Sequence, residues 1–408
     1  MKPLGPIPDG FTARDGELIV GGRTAMKLVA QAGDTPLFVY ASDLISARVA
    51  RLRSAMPDRL AIHYAVKANP YRQLLKLLST LVDGFDVASA GELALTGQVG
   101  IEPERVSFAG PGKRDRELEA AISAGATINL ESASEARRAL AIAERLGETP
   151  RLAVRVNPEF DLRGSGMKMG GGAKQFGIDV EKVPEVLDLI FQSGAEWRGF
   201  HIFAGSQALD AEAVIEAQAH TLALAAKLAE NAGRALPACN LGGGFGVPYF
   251  PGDTELDVEA VGSALGERFA SLPDAVRNTE FCIELGRWLV GPAGVYLTRI
   301  VDRKESHGEV FLVTDGGLHH QLAASGNFGT VVRRNYPVAI ATRFGAPVEE
   351  EASVVGCLCT PLDRLADKGG FPRAEVGDLV AVFQAGAYGA SASPSQFLGH
   401  GPARELLI

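Results

Sequence analysis

Lys67 closes the stretch Ala61-Ile-His-Tyr-Ala-Val-Lys-Ala-Asn-Pro70, in which apolar and aromatic residues run up to a single ammonium group. The run reads as a short buried strand; Pro70 forbids its simple continuation, and a helical pattern starts just beyond. A lysine at the exit of a buried strand is costly unless it is neutralised, paired or covalently used. Two chemistries suit it. The ammonium can snorkel into a polar cleft, or a desolvated amine, easily deprotonated, can act as a Schiff-base nucleophile.

Other polar residues and glycines recur where apolar runs end. Asp86 and Ser89 end the run 84–89, with Gly91-Glu92 opening the next helix. Arg155 and Asn157 end 152–157. Phe203, Gly205, Ser206 and Gln207 follow 199–204. Gly242-Gly-Gly-Phe-Gly246 follows 239–242, and Glu284-Leu-Gly-Arg287 ends 281–285. One such residue means little, because any strand end needs a turn; their presence at nearly every end is hard to assign to turn chemistry alone. The triple glycine can bring backbone N–H groups against a phosphate, although tight strand-to-helix turns also use glycine. Ser206 and Arg287 are natural additional phosphate donors. GxxxxGK[ST] does not occur, which disfavours a P-loop nucleotide.

The elements that must position these residues alternate. Strand-like runs at 61–66, 84–89, 106–109, 127–131, 152–157, 199–204, 239–242 and 281–285 are separated by amphipathic helical patterns such as 115–124, 132–146 and 210–231. About eight βα units in series predict a (β/α)8 TIM barrel, with chemistry at the C-terminal ends of the strands. A doubly wound sheet competes, but would want an early strand-GxGxxG-helix unit, and none is there. After Gly286 the texture changes to strands at 295–301, 310–315, 353–357 and 379–384 in Gly/Pro-rich surroundings, which predicts a second, mostly antiparallel β domain. The expected division is a barrel over 36–286 and a β domain from 1–35 plus 287–408, joined by the short strand near residue 18. The Gly-rich stretch 163–177, with Lys168 and Lys174, reads as either a mobile flap over an anionic ligand or a disordered surface loop.

The 408 residues, 46% of them hydrophobic, can bury a large core, and the formal net charge of -9 argues against nucleic acid as the main partner. There is no stretch long enough for a membrane span and no apolar signal core, so a cytoplasmic enzyme is the expectation. Cys239, Cys282, Cys357 and Cys359 form no metal-like CxxC pair, and no metal is expected. Cys357 and Cys359, two apart, would face one way on a strand as two small core residues.

Taken in order, His63-Tyr-Ala-Val-Lys-Ala-Asn-Pro70, Gly84-Phe-Asp-Val-Ala-Ser-Ala-Gly-Glu92, Arg155-Val-Asn-Pro158, Ala204-Gly-Ser-Gln207, Leu241-Gly-Gly-Gly-Phe-Gly246, Glu284-Leu-Gly-Arg287, Cys359 through Asp363 and Gly386-Ala-Tyr388 resemble the diaminopimelate/ornithine decarboxylase family. That family binds pyridoxal 5'-phosphate on an alanine-racemase-like barrel with an added β domain. The resemblance covers nearly the whole chain and keeps the motif order. It implies Lys67 as the Schiff-base lysine, Glu284 as the carboxylate facing the pyridine nitrogen, Gly243, Gly244, Ser206, Arg287 and Tyr388 around the phosphate, and Gly286 as a further cofactor-binding residue. Asp86 and Arg155 resemble polar residues around the cofactor. Cys359 resembles a catalytic thiol contributed by the partner subunit, so a homodimer with shared active sites is implied.

The sequence departs from the family twice. The position that commonly stacks a histidine on the cofactor ring is Phe203, and His201 lies two residues earlier, on the same strand face; Phe203 is expected to stack and His201 to belong to the core or to support the site. The residue after the thiol, usually an acid that binds the substrate's distal ammonium, is Thr360. Arg287, Thr360 and Tyr388 are the implied substrate contacts. The expected activity is therefore α-decarboxylation of an amino acid or a derivative lacking a free distal ammonium, with protonation by Cys359. Bacterial members of unassigned substrate, or members acting on carrier-tethered aminoacyl groups, are closest in character. The alternatives are diaminopimelate decarboxylase proper, a racemase on the same fold, which would typically place an arginine where Glu284 stands, and a non-catalytic homologue, which would be expected to lose the lysine or the thiol. A phosphate-binding barrel without the cofactor is a further alternative.

Overall fold

The structure, a computed structural model, describes residues 1–326 and 334–408 and divides into two compact units. One comprises Val49–Gly246 and Glu255–Gly286; the other comprises Met1–Arg48, Val247–Thr254 and Arg287–Ile408.

The first unit is a closed barrel of eight parallel strands: Leu60–Ala65, Gly84–Val87, Val106–Phe108, Thr127–Leu130, Arg151–Asn157, Glu196–Ile202, Ala238–Gly243 and Glu280–Leu285. Each pairs with the next in sequence, and the eighth pairs with the first. All eight expected runs are strands, because short apolar runs buried on both sides leave room only for strand geometry between covering helices. Ser132 and Asp210, read as helix starts, are the caps of Ala133–Leu146 and Ala211–Ala232, each accepting a backbone N–H from the first turn.

The second unit holds an eight-stranded sheet. Its main path runs Val338–Ile340, Leu379–Val382, Gly294–Ser306, Glu309–Thr314, Glu350–Val355 and Arg364–Phe371; Leu37–Tyr40 also pairs with Gly294–Ser306 and carries Arg404–Leu407 on its far side. Most pairings are antiparallel; Glu309–Thr314 with Glu350–Val355, and Leu37–Tyr40 with Arg404–Leu407, are parallel.

Two details differ from the sequence expectation. Leu37–Tyr40, expected at the start of the barrel, is a strand of the β sheet, since a fully apolar four-residue strand fits the middle of either sheet equally well. Glu17–Val20 joins no strand of that sheet; it pairs with Thr12–Arg14 and Arg23–Thr24 in a small sheet of its own. Its Leu18 and Val20 instead pack into a core with Val39, Val295, Leu297 and Phe383.

Candidate active site

In the barrel unit, Lys67 sits in a single 3-10 turn, Val66–Ala68, immediately after the first strand. Val66 and Ala68 are buried and Lys67 is exposed, so the amine is presented at the C-terminal mouth rather than sealed in the core. Gly286 allows this turn its place: a Cβ on Gly286 would stand 2.6 Å from the Cβ of Ala68. Lys67 Nζ lies 5.8 Å from the centre of the Phe203 ring, so the aromatic residue found at the histidine position does face the lysine.

His201 is fully inside and faces elsewhere. Its Nε2 lies 3.0 Å from Glu284 Oε2, and Asn240 Nδ2 donates to the same oxygen at 3.2 Å. Burial alone would raise the Glu284 carboxyl; His201, Lys67 and Arg155 overcome it and hold the group at about 2. A buried carboxylate held toward its ionised form can pair with a protonated ring nitrogen. Arg155 donates to Glu131 Oε1 at 2.8 Å, and the backbone N–H groups of Gly110 and Gly177 donate to the two oxygens of the same carboxylate. Lys113 and Glu135 extend this buried network, 3.0 Å apart.

Asp86 is buried, with Oδ2 3.3 Å from His63 Nδ1, yet neither of its oxygens accepts a hydrogen bond from any described residue. Burial would lower His63, but the Cys282 thiol and Asp86 raise it well above the usual imidazole range.

The glycine run is needed first for backbone packing. A Cβ on Gly243 would stand 1.9 Å from the carbonyl oxygen of Glu284, and one on Gly244, at φ +84°, 2.2 Å from that of Gly205. The strand ends close in on one another there, and only bare backbone fits. The Gly-rich stretch is tied down across this region, since Met167–Lys168 pairs antiparallel with Gly205–Ser206. The Lys168 side chain lies outside the described part. A separate cavity of about 270 Å³, lined by His63, Asn240 and Cys282, opens among the beginnings of the barrel strands, at the end opposite Lys67.

In the second unit, Arg287 donates to the Tyr249 hydroxyl at 2.9 Å and lies 4.7 Å from the centre of the Tyr388 ring. Its Nε is buried without a partner among the described residues. Tyr388 has φ +58°, a strained conformation for a bulky residue and one that clusters at binding sites. Tyr249 was missed by sequence reading because no motif marks it.

Cys359 and Thr360 lie in a turn after Glu350–Val355. Cys359 is exposed and Cys357 half-buried, and neither is on a strand, so the expectation of two core residues fails for both. Asp363 organises the turn: its two buried oxygens accept from the backbone N–H of Leu318 at 2.7 Å and of Leu358 at 2.9 Å. Cβ atoms on Gly317 or Gly356 would collide with that carboxylate.

The residues present fit pyridoxal phosphate. The barrel offers an exposed amine, an aromatic face near it, an ionised buried carboxylate and Asp86, whose buried carboxylate has His63 beside one oxygen only. Comparison with known proteins agrees. Residues 42–291 match the family described as pyridoxal-dependent decarboxylase, pyridoxal binding domain. The chain belongs to this family. It is 38% identical to the L-glutamyl acyl-carrier-protein decarboxylase of Niallia circulans, over 92% of this chain and 89% of that one. It is 32% identical to the diaminopimelate decarboxylase of Aquifex aeolicus, over 97% of this chain and 91% of that one. The structure of diaminopimelate decarboxylase from M. jannaschii in complex with L-lysine superposes with a TM-score of 0.89 at 26% identity, covering 100% of this chain and 94% of that one. The protein is thus a pyridoxal-dependent carboxy-lyase. No helix among the described residues is long and apolar enough to cross a membrane.

Proposed function

We propose that this carboxy-lyase removes the α-carboxyl group of an amino-acid derivative whose distal end carries no free ammonium, such as a γ-linked glutamyl thioester on a carrier. The observation that carries the reading is the state of the turn after Cys359. A buried ammonium needs a carboxylate, or it is left unpaired at a cost of several kcal/mol. Thr360 follows the thiol with a hydroxyl, and the nearest acid in the turn, Asp363, already spends both oxygens on backbone N–H groups. The similarity to a decarboxylase named for a carrier-bound glutamyl group supports the same reading.

Pyridoxal phosphate, when bound, supplies the ring that draws in the electrons released as the Cα–carboxyl bond breaks. The chain does the rest. Lys67 would hold the cofactor by its carbonyl carbon and yield that place to the substrate amine. Phe203 would cover the ring face, and ionised Glu284, backed by His201 and Asn240, would keep a proton on the ring nitrogen. Arg287, Tyr388, Ser206 and the glycine run would meet the phosphate. After CO2 leaves, Cys359 of the partner subunit would deliver a proton to the α carbon, so the working unit would be a homodimer with shared sites.

Thr360→Glu tests the substrate reading. The variant should gain measurable CO2 release from diaminopimelate, lysine or ornithine while losing rate on a γ-glutamyl thioester. A variant that folds, binds cofactor and shifts neither rate would remove the basis of the proposal.

A further inference from the structure

We infer that His319, Cys357 and His400 form a binding site for a single divalent transition-metal ion of the zinc type. One ligand atom from each lies within 4.8 Å of the others, and the inference does not depend on the proposed function.

The neighbouring histidines make the case. His320 has both ring nitrogens engaged, Nδ1 with the Tyr296 hydroxyl at 3.1 Å and Nε2 with the Gly401 carbonyl at 3.0 Å. His319 is fully buried, with neither nitrogen partnered. A buried imidazole with two unmet nitrogens is a costly arrangement in a protein interior. His319 faces His400, their ring centres 5.0 Å apart, and Cys357 Sγ lies 3.9 Å from both ring nitrogens of His400. His320, by holding Gly401, anchors the chain directly after His400 against this corner.

Two imidazoles and one thiolate suit a borderline-soft ion, with tetrahedral contacts of about 2.0–2.1 Å to nitrogen and about 2.3 Å to sulfur. The ligands would draw in from their present spacing, and His400, the exposed member of the three, is the one with room to move. On binding, the Cys357 S–H bond breaks, its proton passes to solvent, and the thiolate bonds the metal; at present the thiol donates to the Asp315 carbonyl at 3.5 Å. The fourth position, on the exposed His400 side, is left for water. The metal would then clamp the turn bearing Cys359 and Thr360 to the segment bearing His319. The three ligands are too far apart in sequence to form a spacing motif, which is why reading the cysteines alone gave no metal.

Cobalt(II) added to metal-stripped holoenzyme is the probe, read as difference spectra against the Cys357→Ser holoenzyme. The expected result is one cobalt per chain, with tetrahedral visible bands and a near-ultraviolet thiolate-to-cobalt band, both displaced by zinc. Cys357→Ser should abolish the thiolate band, Cys359→Ser should keep it, and His400→Ala, at an exposed position, should weaken cobalt binding at least about tenfold. The inference is overturned if the folded holoenzyme gives no thiolate band, if the band survives Cys357→Ser, or if it follows Cys359 instead.

Discussion

His201 Nε2 approaches Glu284 Oε2 to 3.0 Å inside the barrel, joining the ends of the sixth and eighth strands. His201 thus supports the carboxylate, while Phe203, two residues on, faces Lys67.

Glu284→Gln should therefore leave the fold intact and lower kcat by about 10²–10³, the range for losing one electrostatic stabiliser. The pH dependence has a definite sign. A carboxyl lowered from 4.5 to about 2 contributes stability that is complete above 4.5 and lost only as pH falls toward 2. The acid limb of the pH–rate profile above that window should accordingly keep its position in Glu284→Gln. A limb that moves with the substitution would show Glu284 titrating in the working range.

Arg287 is held by Tyr249 and stacked on Tyr388. Removing one hydroxyl by Tyr249→Phe loses a hydrogen bond worth about 0.5–1.5 kcal/mol, so the Kd for pyridoxal phosphate should rise roughly 2- to 12-fold. Titration of cofactor-free protein by absorbance checks this, and an unchanged Kd would detach Arg287 from the phosphate.

Asp363 is structural in this reading. Asp363→Ala leaves the buried N–H groups of Leu318 and Leu358 without acceptors and should destabilise the protein by on the order of 2–5 kcal/mol in denaturant unfolding. A loss below about 0.5 kcal/mol, the scale of an ordinary surface change, would contradict the role given to it.

If active sites are shared, mixing inactive Lys67→Ala protein with inactive Cys359→Ala protein should restore part of the activity, because a mixed dimer has one intact site. No recovery despite demonstrated subunit exchange would place lysine and thiol in the same chain.

What the sequence made legible were the local signals. Each barrel strand announced itself as a short apolar run, and Lys67, Phe203 and Glu284 were findable because each stands at such a run's end. Pairings across the barrel were not legible: that His201 meets Glu284, or His63 meets Asp86, depends on strand closure and register. The range 36–286 takes Leu37–Tyr40 in with the barrel, because its four apolar residues carry no mark of the sheet they join. The corner of His319, Cys357 and His400 is formed by three turns whose meeting no periodicity encodes.

The most direct test of the central claim is kcat/KM for CO2 release by the wild-type holoenzyme from diaminopimelate beside that from a carrier-bound γ-glutamyl thioester. The account predicts a value for the thioester in the ordinary enzymatic range, about 10⁴ M⁻¹s⁻¹ or above, and one for diaminopimelate far below it. Diaminopimelate turned over at about 10⁴ M⁻¹s⁻¹ or faster would contradict it, and would mean that an acid other than one at position 360 meets the distal ammonium.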